Sequence, residues 1–65
     1  MEKIDWEKSS RDEDWTVRHN VAKNPNCPVS VLQELSRDED WQVRCAVAKN
    51  PNCPIEIKFL FAMEN

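Results

Sequence analysis

Residues 10–29 read SRDEDWTVRHNVAKNPNCPV and residues 36–55 read SRDEDWQVRCAVAKNPNCPI, so one stretch occurs twice with a period of 26. Sixteen of the 20 positions are identical; the differing pairs are Thr16/Gln42, His19/Cys45, Asn20/Ala46 and Val29/Ile55. A fixed period between about 20 and 50 residues is typical of repeat proteins, in which each unit buries its apolar face against its neighbour. The duplication therefore predicts a solenoid of about two and a half repeats.

The same period divides the chain into parts of a single domain. Applied backwards, it places Trp6 in register with Leu32, so the first residues are expected to form an N-terminal half-unit whose apolar content is Ile4 and Trp6. Terminal units are commonly atypical because one face meets water, and a frayed terminus is the alternative. The predicted parts are the half-unit over residues 1–9, repeat 1 over 10–35, repeat 2 over 36–61 and a tail over 62–65.

The first helix of each unit is predicted from its cap, its end and its periodicity. Asp14 and Asp40 stand where a side chain accepts hydrogen bonds from the free amide groups of a first helical turn. Each helix is expected to stop before Pro25 or Pro51, because proline cannot donate to the helical ladder. Between these signals, valine and alanine recur at the spacing of a helical face. The predicted core residues are Val17, Val21, Ala22, Val43, Val47 and Ala48.

A second, shorter helix is predicted with Pro28 at its first position, with Asn26 or Cys27 as its N-cap and with Leu32 and Leu35 pointing inward. Its length allows an α-helix or a partly 3₁₀ helix. The chain has no Gly, which most hairpin turns require, so an all-β fold is disfavoured.

Composition excludes several classes of function. The net charge is −3, with both signs mixed along each unit, so no long-range field favours binding to duplex nucleic acid. No apolar run approaches the roughly 20 residues needed to cross a bilayer, and no signal-peptide core follows Met1, so we expect a cytoplasmic protein without membrane association. Three cysteines make an odd set, which is typical of reduced thiols rather than a disulfide framework.

The order Arg-Asp-x-Asp-x-x-Val-Arg-x-x-Val-Ala-x-Asn-Pro-x-x-Pro-x-x-x-Leu resembles the leucine-rich repeat variant family of bacteria over about residues 10–62. The resemblance implies an all-α, right-handed solenoid of short paired helices, α alternating with 3₁₀, with an architecture related to HEAT and armadillo repeats. We predict that the chain acts as a protein-interaction module or adaptor rather than an enzyme. In repeat 1 the matching residues are Asp12, Asp14, Val17, Arg18, Val21, Ala22, Asn24 and Pro25, and repeat 2 has the same residues 26 positions later.

The chain departs from that family pattern at two places. Members usually have proline where Trp15 and Trp41 stand, and they often have threonine where Cys27 and Cys53 stand. One member carries an iron–sulfur cluster on a separate N-terminal cysteine-rich module. Nothing in this chain matches that module, so no cofactor is predicted.

The two tryptophans, each followed three positions later by an arginine, form the candidate protein-binding set, which we call the Trp–Arg strip: Trp15, Arg18, Trp41 and Arg44. Interface hot spots are rich in these two residue types. The alternatives are structural. Each indole then packs under the preceding loop, and each guanidinium pairs with Asp12, Asp38 or a carboxylate of the adjoining unit.

The end of repeat 2 is unusually apolar, with Ile55, Ile57 and four further residues that form the candidate self-association set: Phe59, Leu60, Phe61 and Met63. Repeat 1 carries Gln33 and Glu34 in this region. Either the last helix folds back over the open end of the core, or it mates with the same surface of another chain to give a homo-oligomer.

Metal binding and catalysis find little support. Cys27, Cys45, Cys53 and His19 are the only soft ligands, and neighbouring helices about 8–10 Å apart do not bring four of them to one point. The acidic triplets that begin at Asp12 and Asp38 are copied in both repeats, as caps are and active sites rarely are.

The alternative function is a nucleic-acid-associated helical repeat, in which basic side chains contact the phosphate backbone. Binding of that kind depends steeply on salt concentration. The residues that would make the contacts are Arg18, Lys23, Arg44 and Lys49.

Overall fold

A computed structural model describes residues 5–64, the last of them by its backbone only. Ile4 and the other residues of the predicted half-unit before position 5, together with Asn65 of the predicted tail, lie outside the described residues. Within 5–64 the chain has no strand, and the predicted all-α class is confirmed. Residues 62–64, assigned to a tail from the sequence, continue the last helix. The helices are α1 (Trp6–Ser10), α2 (Trp15–Lys23), α3 (Val29–Leu35), α4 (Trp41–Lys49) and α5 (Ile55–Glu64).

Aspartate side chains cap the N-termini of α1, α2 and α4. The Asp14 carboxylate accepts from the Thr16 amide at 2.9 Å and from its hydroxyl at 2.6 Å, and these hydrogen bonds lower the pKa of Asp14. Asp40 accepts from the Gln42 amide at 3.0 Å, and Asp5 caps α1 in the same way. The predicted caps of α2 and α4 are confirmed.

The start of α3 differs from the prediction. Pro28 itself is the N-cap, with extended backbone angles, so neither Asn26 nor Cys27 has that position. The Pro28 carbonyl accepts from the amide of Leu32, four residues on, at 3.1 Å. This is the α-helical pattern, and the 3₁₀ geometry implied by the family resemblance is therefore not found over Val29–Leu35.

The helices pack in two rows. α2 and α4 lie side by side, α1 packs on α2, α3 contacts both α2 and α4, and α5 packs on α4. The shared apolar seam lies between the rows, where Leu32 and Leu35 are buried as predicted. Truncating a buried leucine of this kind typically costs about 2–5 kcal/mol, so this seam supplies much of the stability of so short a chain.

Four of the six predicted core residues of the first helices are buried: Val21, Ala22, Val43 and Val47. Val17 and Ala48 are only half-buried, although their counterparts Val43 and Ala22 are fully enclosed. The cause is position in the stack. Val17 lies on the side of α2 that no preceding repeat covers, and Ala48 lies on the side of α4 that no following repeat covers among the described residues.

Candidate functional site

The joint between the repeats uses one member of the Trp–Arg strip. Arg18 makes a two-point contact with the Asp38 carboxylate, from Nε at 2.8 Å and from Nη2 at 3.3 Å, and its Nη1 donates to the carbonyl of Asp12 at 2.6 Å. Both side chains of the pair are largely buried, 11% and 8% exposed. The hydrogen bond with Asp38 raises the pKa of Arg18, so the guanidinium stays charged. Arg18 therefore belongs to an inter-repeat link and is not available to a partner.

Arg44 occupies the same position in repeat 2 but has a different environment. Its Nη1 donates to the Asp38 carbonyl at 2.6 Å, which reproduces the bond from Arg18 to Asp12. Among the described side chains, no carboxylate pairs with its guanidinium. Arg44 is half-buried and retains donors that a partner can use.

The two tryptophans of the strip are exposed rather than packed away in the core. Trp15 is 38% exposed and meets His19 edge-on, with ring centroids 5.9 Å apart. Trp41 is 51% exposed and lies against Phe61, with ring centroids 6.4 Å apart and a tilt of 41°. The contact with Phe61 connects the second half of the strip to α5.

The apolar residues of α5 separate into an inner and an outer group. Ile57 is buried on α4, and Phe61 is half-buried against Trp41, so Phe61 differs from the rest of the predicted self-association set. The other group we call the outer α5 face, and its members are exposed to solvent at 65%, 61%, 57% and 80%: Ile55, Phe59, Leu60 and Met63. A helix that folds back over the core would not leave these four side chains in water.

Comparison with α3 shows how unusual this face is. The 26-residue register places Phe59, Leu60 and Met63 at the positions of Gln33, Glu34 and Arg37. Gln33 and Glu34 of α3, and Arg37 just after it, are all exposed and polar. The substitution from polar to apolar therefore occurs at positions that already face solvent, where core packing does not require it.

Residues 15–40 match the family model described as leucine rich repeat variant. This segment is similar to a leucine rich repeat variant unit. It begins at the first residue of α2 and ends just before α4. Residues 41–54 differ from residues 15–28 of that unit at only three positions. Neither a curated protein nor a solved structure matches the chain.

Two asparagines of the leucine rich repeat variant pattern have a role that the sequence reading missed. Asn50 is 1% exposed, and its Nδ2 donates to the carbonyls of Ala22 and Asn24 at 2.7 and 2.8 Å. Asn52 donates across the same boundary to the carbonyls of Pro25 and Cys27. The sequence signal was present, since Asn-Pro-Asn is repeated without change. The motif was predicted to end one helix and to cap the next, although a side chain that bonds across repeats also requires the same residue in each unit.

The cysteines occupy the interior. Cys27 and Cys53 are buried free thiols, and burial raises the pKa of each. Within residues 5–64, no group of three or more His, Cys, Asp or Glu side chains is placed to hold a metal ion. In the same part of the chain, no helix is both long and apolar enough to cross a membrane.

Proposed function

We propose that this chain is a non-enzymatic, cytoplasmic protein-interaction module, and that its binding surface is the outer α5 face together with Trp41 and Arg44. The repeats act as a scaffold that holds this surface in one geometry. The single observation that supports the proposal is that α5 carries exposed apolar residues 26 positions after the polar residues Gln33, Glu34 and Arg37.

The physical reason is the cost of exposed apolar area. Soluble proteins rarely expose contiguous apolar patches without a use, and a patch beside an exposed tryptophan and an arginine with free donors has the composition of an interface centre. Trp41 and Phe61 join the patch to α4 through their ring contact. A partner that covers this surface removes apolar area from water at about 25 cal/mol per Å² before the costs of association.

The proposal is tested with a variant of α5 that copies polar residues from 26 positions earlier in the chain. Phe59→Gln, Leu60→Glu and Met63→Arg together give α5 the exposed polar residues that stand 26 positions earlier, so the fold is expected to be kept. Gln33→Ala in α3 with Arg37→Ala just after it is the matched control. The tagged wild-type chain is used to capture partners from the host by cross-linking, and each captured protein is purified and titrated against all three forms.

We expect the wild type and the control to bind equally and the triple variant to bind at least about tenfold more weakly, as for loss of a hot-spot cluster. Equal binding by the triple variant contradicts the proposal, provided that its circular dichroism spectrum matches the wild type. The nucleic-acid alternative is checked in the same titrations with single- and double-stranded oligonucleotides at increasing salt. One of the four basic residues that this alternative requires, Arg18, is already paired with Asp38.

A further inference from the structure

We propose that the partner at the outer α5 face is a second copy of this chain, and that the two α5 helices pair in parallel about a two-fold axis. The inference rests on the proposed function in using the same surface, and it goes further by naming the occupant and its orientation. Three features support it: the position of the exposed apolar residues on α5, the charges on the two sides of these residues, and the polar character of the neighbouring α3.

The exposed apolar residues of α5 lie on the side of the helix opposite the core. Residues of an α-helix are separated by about 100°, so Phe59 lies about 180° from the midpoint between the inward residues Ile57 and Phe61. Ile55 and Met63, four residues before and after Phe59, lie beside it on the same side. The three exposed side chains form one straight apolar line along the ten residues of α5.

The two flanks of this line carry opposite charges. Glu56 and Leu60 lie on the flank that faces α3, where they line a groove with Gln33 and Glu34. Lys58 lies on the opposite flank and is exposed. The register places Lys58 at the position of Leu32, which is fully buried in repeat 1. The position of α5 that would contact a further repeat thus carries a charge. The line of exposed apolar residues faces a different direction from the one in which repeats stack.

Parallel pairing of two such helices joins opposite charges. A two-fold axis that runs along the helices exchanges the flanks, so that the Glu56 flank of one copy meets the Lys58 flank of the other. A two-fold axis perpendicular to the helices, which gives antiparallel pairing, brings each flank against itself and places like charges together. Charge complementarity at the rim of an interface selects the orientation of a complex. It favours the parallel pair here.

The surroundings of α5 favour the same orientation. In an antiparallel pair, the α3 helices of the two copies lie on the same side and face each other across the interface, which brings Gln33, Glu34 and Arg37 against their own copies. In a parallel pair, the α3 helices lie on opposite sides of the α5 pair and do not meet. Apolar substitution limited to α5, with α3 left polar, matches an interface built from α5 alone.

The size of this interface predicts a weak dimer. Stable complexes bury about 800 Å² on each partner, about a sixth of the 4817 Å² that this chain exposes. A pair of ten-residue helices about 15 Å long covers less than that area. We therefore expect half-dimerisation between about 10 µM and 1 mM, so the full chain is studied by sedimentation equilibrium across this range.

The decisive experiment uses the charges, because Glu56 and Lys58 are exposed and their exchange leaves the fold intact. Glu56→Lys and Lys58→Glu each place like charges on facing flanks of a parallel dimer, and each is expected to raise the dissociation constant about fivefold at low salt. The double variant Glu56→Lys/Lys58→Glu restores opposite charges and is expected to return to the wild-type value. High salt is expected to remove these differences, and circular dichroism checks that all variants are equally helical.

Several results would overturn the inference. A wild-type mass that stays at 7.7 kDa up to 1 mM excludes the dimer. A dimer that persists unchanged in Phe59→Gln does not use this face. If the single charge variants dimerise like the wild type, parallel pairing is excluded, whatever the double variant does. In an antiparallel dimer each flank meets its own copy, so like charges face each other in the wild type and in every variant. A monomer that still binds a captured partner through the outer α5 face defeats this inference and leaves the proposed function standing.

Discussion

Replacing Asn50 with alanine removes a buried side chain that connects the two repeats, and the chain contains its own control. Asn24 has the same neighbours in sequence, ends the equivalent helix and bonds its own turn in the same way, with Oδ1 2.9 Å from the Asn26 amide. The corresponding distance from Asn50 to the Asn52 amide is 2.8 Å. Of these two asparagines, Asn50 alone is seen, among the described residues, to donate from Nδ2 to carbonyls of the other repeat.

The difference between the two losses in the free energy of unfolding measures the inter-repeat hydrogen bonds, since both substitutions remove the same local bond. Each intramolecular hydrogen bond contributes about 0.5–1.5 kcal/mol net, and two buried carbonyls lose a donor in Asn50→Ala. We therefore expect Asn50→Ala to reduce the free energy of unfolding by about 2 kcal/mol more than Asn24→Ala does. For a chain of this length, whose total stability is expected to be about 3–10 kcal/mol, this is a large loss.

Urea unfolding followed by circular dichroism at 222 nm is the assay. With an m-value of about 1 kcal/mol/M, the two midpoints are expected to differ by about 2 M. Asn50→Asp adds a further test, because it keeps the shape and the Oδ1 acceptor but lacks the Nδ2 donor; it is expected to be at least as destabilising as Asn50→Ala. If the two alanine variants unfold within 0.5 kcal/mol of each other, Asn50 does not hold the repeats together and the reasoning is wrong.

Three further predictions follow from the joint and from the thiols. Arg18→Met is expected to cost about 2–3 kcal/mol more than Arg44→Met in the same urea assay, because it leaves a largely buried carboxylate unpaired and Arg44 has no such partner among the described side chains; equal costs would contradict this. Burial raises the folded-state pKa of Cys27 and Cys53 above the ordinary value of 9.0, so their contribution to stability is complete below that pH and is lost as the pH rises through the folded-state pKa. Urea midpoints should therefore fall as the pH rises above 9.0, less steeply in Cys27→Ala, and a flat profile in the unmodified chain would disprove the assignment. Cys45, which is half-buried, is expected to react with a thiol reagent before Cys27 and Cys53 under native conditions. Peptide mass mapping of partly labelled protein would show which thiol reacts first, and earlier labelling of either buried cysteine would contradict this prediction.

Local signals predicted the helices well because they act over a few residues. Asp14 and Asp40 cap α2 and α4 as expected, and α2 and α4 end before Pro25 and Pro51. The misplaced N-cap of α3 has a local explanation as well. Proline has no amide to lose, so the sequence does not distinguish Pro28 at the cap from Pro28 at the first helical position; the extended ψ of 149° decides for the cap.

The outer α5 face was predicted only in part. Composition showed that the end of repeat 2 is apolar, and Phe59, Leu60 and Met63 are exposed, in keeping with a contact surface. Phe61 was assigned to the same surface but is half-buried against Trp41. A run of adjacent apolar residues does not show which of them point inward. Only the packing of α5 on α4 shows it, because that contact fixes the rotation of the helix about its axis.

By itself, the sequence determined that this chain is a pair of near-identical helical units with capped first helices and valine-lined cores, because caps, prolines and periodicity act within one turn or one helix. The tertiary structure alone decided what identical residues do in the two units. Arg18 is paired with Asp38 while Arg44 lacks a carboxylate partner among the described side chains. The Asn50 side chain bonds to the other repeat, while the Asn24 side chain bonds, among the described residues, to its own turn only. The reason is that each stacking interaction needs a neighbour on a particular side, and two equivalent residues in a short stack do not have the same neighbours.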